Sequence, residues 1–219
     1  MIKALIFDFD GLIMDTETPE VEAWQAIYIE HGQEFPLQTW VRDVVGSTIN
    51  NFDPALHLSA LTGQELDRPA LHARALSYRL AKQATLSALP GVNDYIRDAK
   101  RLGLRLAIAS SSPHDWVDNY LRQLGLFEDF EAVLCREDVR RIKPDPELFA
   151  AALQALSLRP DQALAIEDSP NGLLAGRRAG MRVVVVPNPI TSFGTIEGAD
   201  LLLSSLVDIP LQELLLYFA

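Results

Sequence analysis

Residues Lys3–Asp15 read KALIFDFDGLIMD, an apolar run that ends in two carboxylates, Asp8 and Asp10, followed at once by Gly11. The apolar residues Ala4–Phe7 are typical of a short strand that is buried on both faces. Because Asp8 and Asp10 are two positions apart, an extended backbone directs both side chains to the same side. Two like charges so close repel each other unless a cation or a bound ligand compensates them. The stretch therefore predicts a ligand-binding strand end or, alternatively, a turn with two solvated acids.

The composition limits the class of protein. The chain has 219 residues, 48% of them hydrophobic, which suits one domain with a packed core or a domain with an insert. Its formal net charge of −11 opposes binding to a nucleic-acid backbone, so no nucleic-acid partner is predicted. No apolar run approaches the ~20 residues that span a bilayer, and Met1–Phe7 is too short for a signal peptide. We expect a cytoplasmic protein without a membrane partner, in which Cys135, the only cysteine, is a small buried residue.

Short runs rich in Val, Ile and Leu recur along the chain, with helical patterns between them. The further predicted strands are Leu104–Ala109, Ala132–Leu134, Ala163–Ile166, Val183–Val186 and Leu201–Leu203. The predicted helices between them are Gly91–Leu102, Pro113–Leu124, Pro146–Leu156 and Pro170–Ala179. This order predicts an α/β fold with a doubly wound, Rossmann-like parallel sheet.

One stretch breaks this alternation. From about Thr16 to Ala88 no strand is predicted, and helical spacing covers Val21–His31, Leu37–Val45 and Pro69–Leu86. We interpret residues 16–87 as an inserted helical cap domain, and residues 1–15 together with 88–219 as the α/β core domain. The two connections would act as hinges, and the cap as a lid over the strand ends.

Hydroxyl residues follow the second predicted strand. Residues Leu106–Ser112 read LAIASSS, and Pro113 then opens a helix. Hydroxyls and backbone N–H groups at a helix start bind phosphate. One of these serines is expected to serve only as a helix cap. Ser110, the first polar residue after the strand, is the better ligand candidate, with Ser111 beside it.

A lysine and a second acid pair follow two further strands. Residues Ile142–Pro146 read IKPDP and place Lys143 between a strand and the start of a helix. Residues Ala165–Gly172 read AIEDSPNG and place Glu167 and Asp168 at the end of another strand. Magnesium prefers hard oxygen ligands from one or two carboxylates and leaves room for phosphate and water. Asp8, Asp10 and Asp168 would supply such ligands.

Taken together, four strand ends carry an acid pair, a hydroxyl, a lysine and a second acid pair, in that order. The order of these residues resembles that of the haloacid dehalogenase superfamily. The local sequences FDFDGLIMDTE, SSS, KPDP and EDSPNG resemble in particular its β-phosphoglucomutase-like phosphatase branch. The resemblance spans nearly the whole chain, and this branch carries a small helical cap between its first and second motifs. It implies a Mg²⁺-dependent phosphatase that hydrolyses small phosphomonoesters, such as sugar phosphates, through an aspartyl-phosphate intermediate.

The resemblance also implies a role for each motif residue. Asp8 would attack phosphorus, and Asp10 would be the general acid and base. Ser110, Ser111 and Lys143 would hold the phosphoryl group. The implied metal ligands are Asp8, Asp10 through its backbone carbonyl, Glu167 and Asp168.

Within the superfamily, the carboxylate of Asp10 argues against dehalogenases and phosphonatases, which lack an acid at this position. A β-phosphoglucomutase is the first alternative. Its cap has a histidine about four residues after the DT pair and an arginine after a Gly-x-Ser motif. This chain has Glu20 at the first place, and no arginine follows Gly46 and Ser47. A hydrolase is therefore favoured over a mutase.

A phospho-receiver signalling module is a more distant alternative, since it also gathers acids, a hydroxyl and a lysine at strand ends. Its acceptor aspartate ends a middle strand, where this chain has Ser110. Neither the choice of phosphorylated metabolite nor the oligomeric state is determined by the sequence. On the helix that begins near Pro69, Arg68, Arg79 and Lys82 share one side and are interpreted as a solvated face. The loop Asn188–Gly198 carries no predicted chemistry.

Overall fold

A parallel sheet of six strands forms the centre of the structure, a computed structural model that describes residues 1–45 and 52–219. The strands are β1 (Ala4–Phe7), β2 (Arg105–Ala109), β3 (Ala132–Leu134), β4 (Ala163–Glu167), β5 (Arg182–Val185) and β6 (Leu201–Leu202). Their order across the sheet is β3-β2-β1-β4-β5-β6. The chain thus winds outwards in both directions from the central pair β1 and β4, which is the doubly wound order. The predicted fold class is confirmed, and each predicted strand begins and ends within one residue of the observed one.

The helices fall into two groups. Those of the first group follow β1 directly and are α1 (Glu17–Glu30), α2 (Leu37–Asp43), α3 (Pro54–Thr62) and α4 (Arg68–Gln83). Those of the second group alternate with the strands or follow them, and are α5 (Val92–Arg101), α6 (His114–Gln123), α7 (Glu147–Ala155), α8 (Pro170–Arg178) and α9 (Leu211–Tyr217). In the described part of residues 16–87, no strand interrupts the helices.

The strands are buried on both faces, and alternate residues enter two different clusters. In β1, Leu5 and Phe7 belong to one hydrophobic cluster, and Ala4 and Ile6 belong to the cluster on the opposite face. This alternation follows from the two-residue period of a strand. The second face is rich in alanine, which lets α7 and α8 lie close to the sheet. A side chain at Gly176 of α8 would place its Cβ only 2.8 Å from Val183 Cγ2.

The helices of the first group pack around a third hydrophobic cluster, to which Ile190 from the loop after β5 also contributes. Its buried members include Trp24, Tyr28, Phe35, Trp40 and Leu58. The cluster explains why this stretch can fold as helices without pairing to the sheet. The division into a core domain and a cap domain at residues 15 and 88 stays a prediction.

Two helices are not among those predicted. The first, α3, begins where Asp53 accepts hydrogen bonds from the backbone N–H groups of Ala55 and Leu56, and it ends at Gly63 in the left-handed region. These start and stop signals are present in the sequence, but a helix of only nine residues shows too little periodicity to be predicted from spacing. The second, α9, follows Pro210 near the end of the chain. Within the described ranges, no helix combines the length and the apolar composition that crossing a membrane requires.

One helix begins earlier than predicted. The sequence predicts its start at Val21, whereas α1 begins at Glu17, because the Asp15 carboxylate accepts a hydrogen bond from Thr18 N–H at 3.0 Å. The early start puts Glu17 and Glu20 in the first turn, close to the strand ends. The buried position predicted for Cys135 is confirmed, and burial raises the pKa of its thiol to about 12.

Candidate active site

The carboxyl ends of β1, β2 and β4 meet around a cavity of about 460 Å³. Most of the residues that the sequence predicts for a site line this cavity, namely Asp8, Asp10, Ser111, Lys143 and Asp168. The other two, Ser110 and Glu167, are fully buried and contact lining residues. The convergence arises because parallel strands present their carboxyl ends at one edge of the sheet.

Lys143 joins the first and the last motif. Its ammonium group donates hydrogen bonds to Asp8 Oδ1 and, at 2.5 Å, to Glu167 Oε1. The lysine is only 4% exposed. Burial lowers the pKa of Lys143, but the charges of Asp8 and Glu167 outweigh it and raise that pKa above its ordinary value. Lys143 is therefore a fixed cation at the cavity floor and not a mobile surface residue.

Three buried acids gather around this cation. Carboxylate oxygens of Asp8, Glu167 and Asp168 lie within 4.8 Å of one another. Burial raises the pKa of Asp8, and the nearby Glu167 and Asp10 add to this effect while Lys143 opposes it. Burial is the main reason that the pKa of Asp168 lies well above its ordinary value, and repulsion from Asp8 and Glu167 raises that pKa further. A hard divalent cation fits this donor set, since it would offset the repulsion and keep the carboxylates ionised.

The oxygens of Glu167 are already engaged by the protein. Besides the contact with Lys143, Glu167 Oε2 accepts hydrogen bonds from the backbone N–H groups of Asp168 and Ser169 and from the Ser169 hydroxyl at 3.1–3.3 Å. Gly172 makes room for this carboxylate, because a Cβ at Gly172 would lie 1.8 Å from Glu167 Cδ. The start of α8 thus holds Glu167 against Lys143.

Asn188 belongs to the site although no chemistry is predicted for the loop Asn188–Gly198. The Asn188 amide group donates hydrogen bonds to Asp168 Oδ2 at 2.8 Å and to the Gly11 carbonyl at 3.2 Å. Its own oxygen accepts from the backbone N–H groups of Ile190 and Thr191. The loop therefore orients Asp168. An asparagine beside prolines gives no sequence signal for this contact.

Asp10 is held by different residues from those that contact the buried acids. Trp116 donates its indole N–H to Asp10 Oδ1 at 2.8 Å, and the Ser112 hydroxyl donates to Asp10 Oδ2 at 2.6 Å. The Ser110 hydroxyl lies 3.5 Å from the same Oδ2 and accepts a hydrogen bond from Ser112 N–H at 3.0 Å. Both carboxylate oxygens of Asp10 thus have partners from the β2–α6 connection. Neither Trp116 nor Ser112 is among the site residues predicted from the sequence.

Helices α1 and α4 close the other side of the cavity with the side chains of Thr16, Glu17, Glu20, Arg79 and Gln83. Arg79 donates to Glu20 Oε2 at 2.7 Å, and its guanidinium carbon lies 5.8 Å from the ring centre of Trp116. Burial raises the pKa of Glu17 to about 8, helped by the charges of Asp10 and Glu20.

The interpretation of Arg68, Arg79 and Lys82 as one solvated face is wrong for Arg79. Arg68 pairs with Asp53 on α3, and Lys82 lies 3.6 Å from Glu22. Arg79 instead points into the cavity, because α4 packs against α1 along that side. Gly46 and Ser47, after which the mutase motif would have an arginine, lie outside the described residues.

Comparison with known proteins gives the class of the chain. Residues 5–186 match the family model described as haloacid dehalogenase-like hydrolase. YhcW of Bacillus subtilis (strain 168), which carries the name of a candidate phosphatase, is 44% identical over 98% of this chain and 97% of its own length. Hexitol phosphatase B of Escherichia coli (strain K12) is 30% identical over 98% and 97% of the two chains. The crystal structure of CbbY from Rhodobacter sphaeroides in complex with phosphate superposes with a TM-score of 0.70 at 28% identity, covering 95% of this chain and 96% of the other.

The chain belongs to the haloacid dehalogenase-like hydrolase family. The resemblance inferred from the four strand-end motifs is thereby confirmed, as is the prediction of an enzyme of the phosphatase kind.

Proposed function

We propose that this enzyme hydrolyses small phosphomonoesters with bound Mg²⁺ and an aspartyl-phosphate formed on Asp8. The observation that supports this most directly is the contact of Lys143 with Asp8 and Glu167 at the cavity floor, beside the separately held carboxylate of Asp10. Asp8 is then beside the fixed cation Lys143, which attracts an anionic phosphoryl group. Asp10 does not contact Lys143 and is available for proton transfer.

Asp8 is the proposed nucleophile. One of its oxygens forms a bond to phosphorus while the bond from phosphorus to the ester oxygen breaks, which splits one difficult displacement into two easier ones. Lys143 meets the charge on the phosphoryl oxygens, where electrostatic stabilisation of the transition state counts most. Ser111, which lines the cavity, and Ser110, whose hydroxyl lies beside Asp10, are the further proposed phosphate contacts.

Asp8 and Asp168, with the Asp10 carbonyl, are the proposed Mg²⁺ ligands. When bound, the ion reduces the repulsion between Asp8 and the phosphate. The family resemblance also implies Glu167 as a metal ligand. Because both Glu167 oxygens already accept hydrogen bonds, we propose that Glu167 serves mainly to fix Lys143.

Asp10 is the proposed general acid and base. In its protonated form it gives a proton to the leaving ester oxygen. It then takes a proton from water, whose oxygen attacks phosphorus as the bond to Asp8 breaks. The hydrogen bonds from Trp116 and Ser112 fix the carboxylate for both transfers.

Residues 16–87 are the proposed lid. Their hydrophobic cluster, which only Ile190 among its buried members joins from outside this range, and the cavity-lining residues Thr16, Glu20, Arg79 and Gln83 support this role. A lid excludes bulk water and brings residues onto the part of the substrate that does not react.

The experiment that tests the function is a phosphate-release assay on small phosphomonoesters, with Mg²⁺ and with excess EDTA. We expect release with Mg²⁺, loss with EDTA and recovery when Mg²⁺ is restored. Asp8→Asn, purified in parallel, controls for a contaminating phosphatase. Full activity in excess EDTA, or equal activity of Asp8→Asn, would refute the proposal.

The mutase alternative has a test of its own. Glu20, at the place of the mutase histidine, pairs with Arg79. With Asp10 free to activate water, we expect β-glucose 1-phosphate, given with a trace of the 1,6-bisphosphate, to release phosphate. Isomerisation to glucose 6-phosphate that outruns phosphate release by orders of magnitude would establish the mutase instead.

A further inference from the structure

A second group of metal-binding side chains lies outside the active-site cavity. It consists of His114 and Asp118, both on α6, and Cys135, which directly follows β3. One ligand atom of each residue lies within 4.8 Å of the ligand atoms of the other two. The three residues are here called the α6 cluster. None of them belongs to the four strand-end motifs or lines the cavity.

The local fold brings the α6 cluster together from two segments of the chain. His114 is the first residue of α6, and Asp118 lies one turn later on the same side of the helix. Strand β3 pairs in parallel with β2, so its end lies beside the β2–α6 connection. There the backbone N–H of Arg136 donates a hydrogen bond to the Ser112 carbonyl at 3.1 Å. The backbone therefore holds Cys135 close to the start of α6.

The histidine ring of the α6 cluster lies between two carboxylates. Nδ1 of His114 is 3.2 Å from Asp118 Oδ1, and its Nε2 is 2.8 Å from Asp138 Oδ2. The same Asp138 oxygen accepts a hydrogen bond from the backbone N–H of Cys135 at 2.7 Å. Because a neutral imidazole has only one N–H, its other nitrogen directs a lone pair at a carboxylate. Either a second proton on the ring or a metal ion would remove this repulsion.

A metal ion would use more of the α6 cluster than a proton would. With Asp138 as the acceptor of Nε2–H, Nδ1 of His114 is left for the ion, and Asp118 is the carboxylate beside it. A carboxylate that holds the second nitrogen of a histidine is the usual means of orienting a histidine ligand. A proton on the ring would engage the two carboxylates only, whereas a metal ion would also engage Cys135.

The surroundings of Cys135 favour a cation. The residue is fully buried, and the charges of Asp118, Asp138 and Glu137 add to burial in raising the pKa of its thiol. The same three charges attract a positive ion. The thiol therefore keeps its proton until a metal ion binds, and the proton then passes to solvent as the sulfur becomes a ligand.

The donor set indicates which metal the α6 cluster takes. Imidazole nitrogen, thiolate sulfur and carboxylate oxygen are the ligands of Zn²⁺, whereas Mg²⁺ is bound by oxygen alone. Zn²⁺ takes four ligands, so a water molecule completes the set. The side chains of His114 and Asp118 are 36% and 23% exposed, which leaves a path for the ion from solvent.

We propose that His114, Asp118 and Cys135 bind one Zn²⁺ ion, at a site separate from the Mg²⁺ site proposed in the cavity. The ion would join the start of α6, the helix that carries Trp116, to the end of β3. This inference does not depend on the proposed phosphatase function.

The test uses Co²⁺ as a spectroscopic substitute for Zn²⁺. The full chain, reduced and freed of metal, is titrated with Co²⁺ in excess Mg²⁺, which fills the oxygen-only site. Because Cys135 is the only cysteine, a sulfur-to-cobalt charge-transfer band reports on this residue alone. We expect the band to saturate at one Co²⁺ per chain and to vanish when Zn²⁺ is added. Zn²⁺ at about 100 times its Kd should raise the thermal midpoint by about 5 °C.

Variants separate the ligands from the residue that orients them. His114→Gln and Asp118→Asn should each raise the Kd for Co²⁺ by about 100-fold or more, and Asp138→Asn by about tenfold. Asp115→Asn is the matched control, because Asp115 is exposed on the same helix and is not part of the α6 cluster. It should bind Co²⁺ like the wild type.

Circular dichroism identifies any variant that does not fold, and the wild-type titration and the remaining variants then carry the test. Absence of the charge-transfer band in the wild type would overturn the proposal and leave His114 as a protonated partner of two acids. A band whose Co²⁺ dependence is the same in folded His114→Gln and Asp118→Asn as in Asp115→Asn would overturn it as well. Since no readout involves phosphate release, failure of the phosphatase assay would leave this site in place.

Discussion

The indole N–H of Trp116 donates a hydrogen bond to Asp10 Oδ1 at 2.8 Å. The two residues are 106 positions apart, and the contact forms because α6 starts directly after β2, the neighbour of β1 in the sheet. The hydrogen bond fixes the plane of the carboxylate that is proposed to move protons. A general acid works only when it is within hydrogen-bond reach of the leaving atom, so its orientation bears directly on rate.

Replacement of Trp116 by phenylalanine is therefore expected to lower kcat by about tenfold, because Asp10 loses one of its two close donors. Steady-state kinetics with a saturating substrate measure the effect. Trp40→Phe is the matched control, since Trp40 is buried among α1–α4, away from the cavity, and its indole N–H has no partner in the described ranges. Equal kcat for Trp116→Phe and the wild type would remove Trp116 from the catalytic arrangement.

Asn188→Ala is expected to raise the Mg²⁺ concentration for half-maximal activity by about tenfold, because Asp168 loses the amide that orients it. A Mg²⁺ titration of phosphate release checks this. Asn119→Ala, on the exposed side of α6, serves as the control. If the metal requirement of Asn188→Ala matched that of the control, the loop would have no part in metal binding.

Gly172→Ala is expected to reduce activity by about 100-fold or more, because its Cβ would displace Glu167 and, with it, Lys143. Gly176→Ala in the same helix is the control. Its Cβ meets Val183 in the core instead of the site, so it should lower thermal stability but keep kcat per folded molecule. Normal turnover by Gly172→Ala would show that the Glu167 contact does not position Lys143.

Glu17 predicts a pH dependence of stability in the metal-free protein. Burial raises its pKa from 4.5 to about 8, so between these values the folded chain holds a proton that the unfolded chain has lost. The contribution of Glu17 to stability therefore falls as pH rises from 4.5 to about 8. Glu17→Gln should gain on the order of 1–3 kcal/mol relative to the wild type between pH 5 and pH 8.

Urea unfolding in EDTA at several pH values measures this difference. Glu22→Gln, on the exposed side of α1, is the control and should follow the wild type. Parallel pH profiles for Glu17→Gln and the wild type would contradict the raised pKa.

The sequence predicts those parts of the fold and site that depend on local patterns. The strand runs and their polar ends are local, and parallel pairing then brings Asp8, Lys143 and Asp168 to one edge without further information. Asn188 and Trp116 could not be predicted in this way. Their contacts join segments 177 and 106 residues apart, and both depend on how a loop or a helix start lies against β1.

In the helical insert, too, the partners of side chains could not be predicted from the sequence. Spacing on α4 gives the face that carries Arg79 and Lys82, but spacing does not determine which partner covers that face. Arg79 is turned into the cavity by Glu20 of α1, while Lys82, three residues on, reaches Glu22 outside it. The assignment of α3 was within reach, since Asp53, Pro54 and Gly63 are ordinary start and stop signals.

The central claim, an aspartyl-phosphate on Asp8, is tested most directly by rapid acid quench of a single turnover with ³²P-labelled substrate, followed by mass spectrometry of the protein. The wild type should pass through a transient labelled state. Asp10→Asn, which lacks both the acid for formation and the base for hydrolysis, should acquire the label more slowly and then retain it longer, on Asp8 and in a form released by hydroxylamine. Asp8→Asn should carry no label and release no phosphate. Turnover in which ³²P passes to free phosphate with no labelled protein at any time, in both the wild type and Asp10→Asn, would contradict the account.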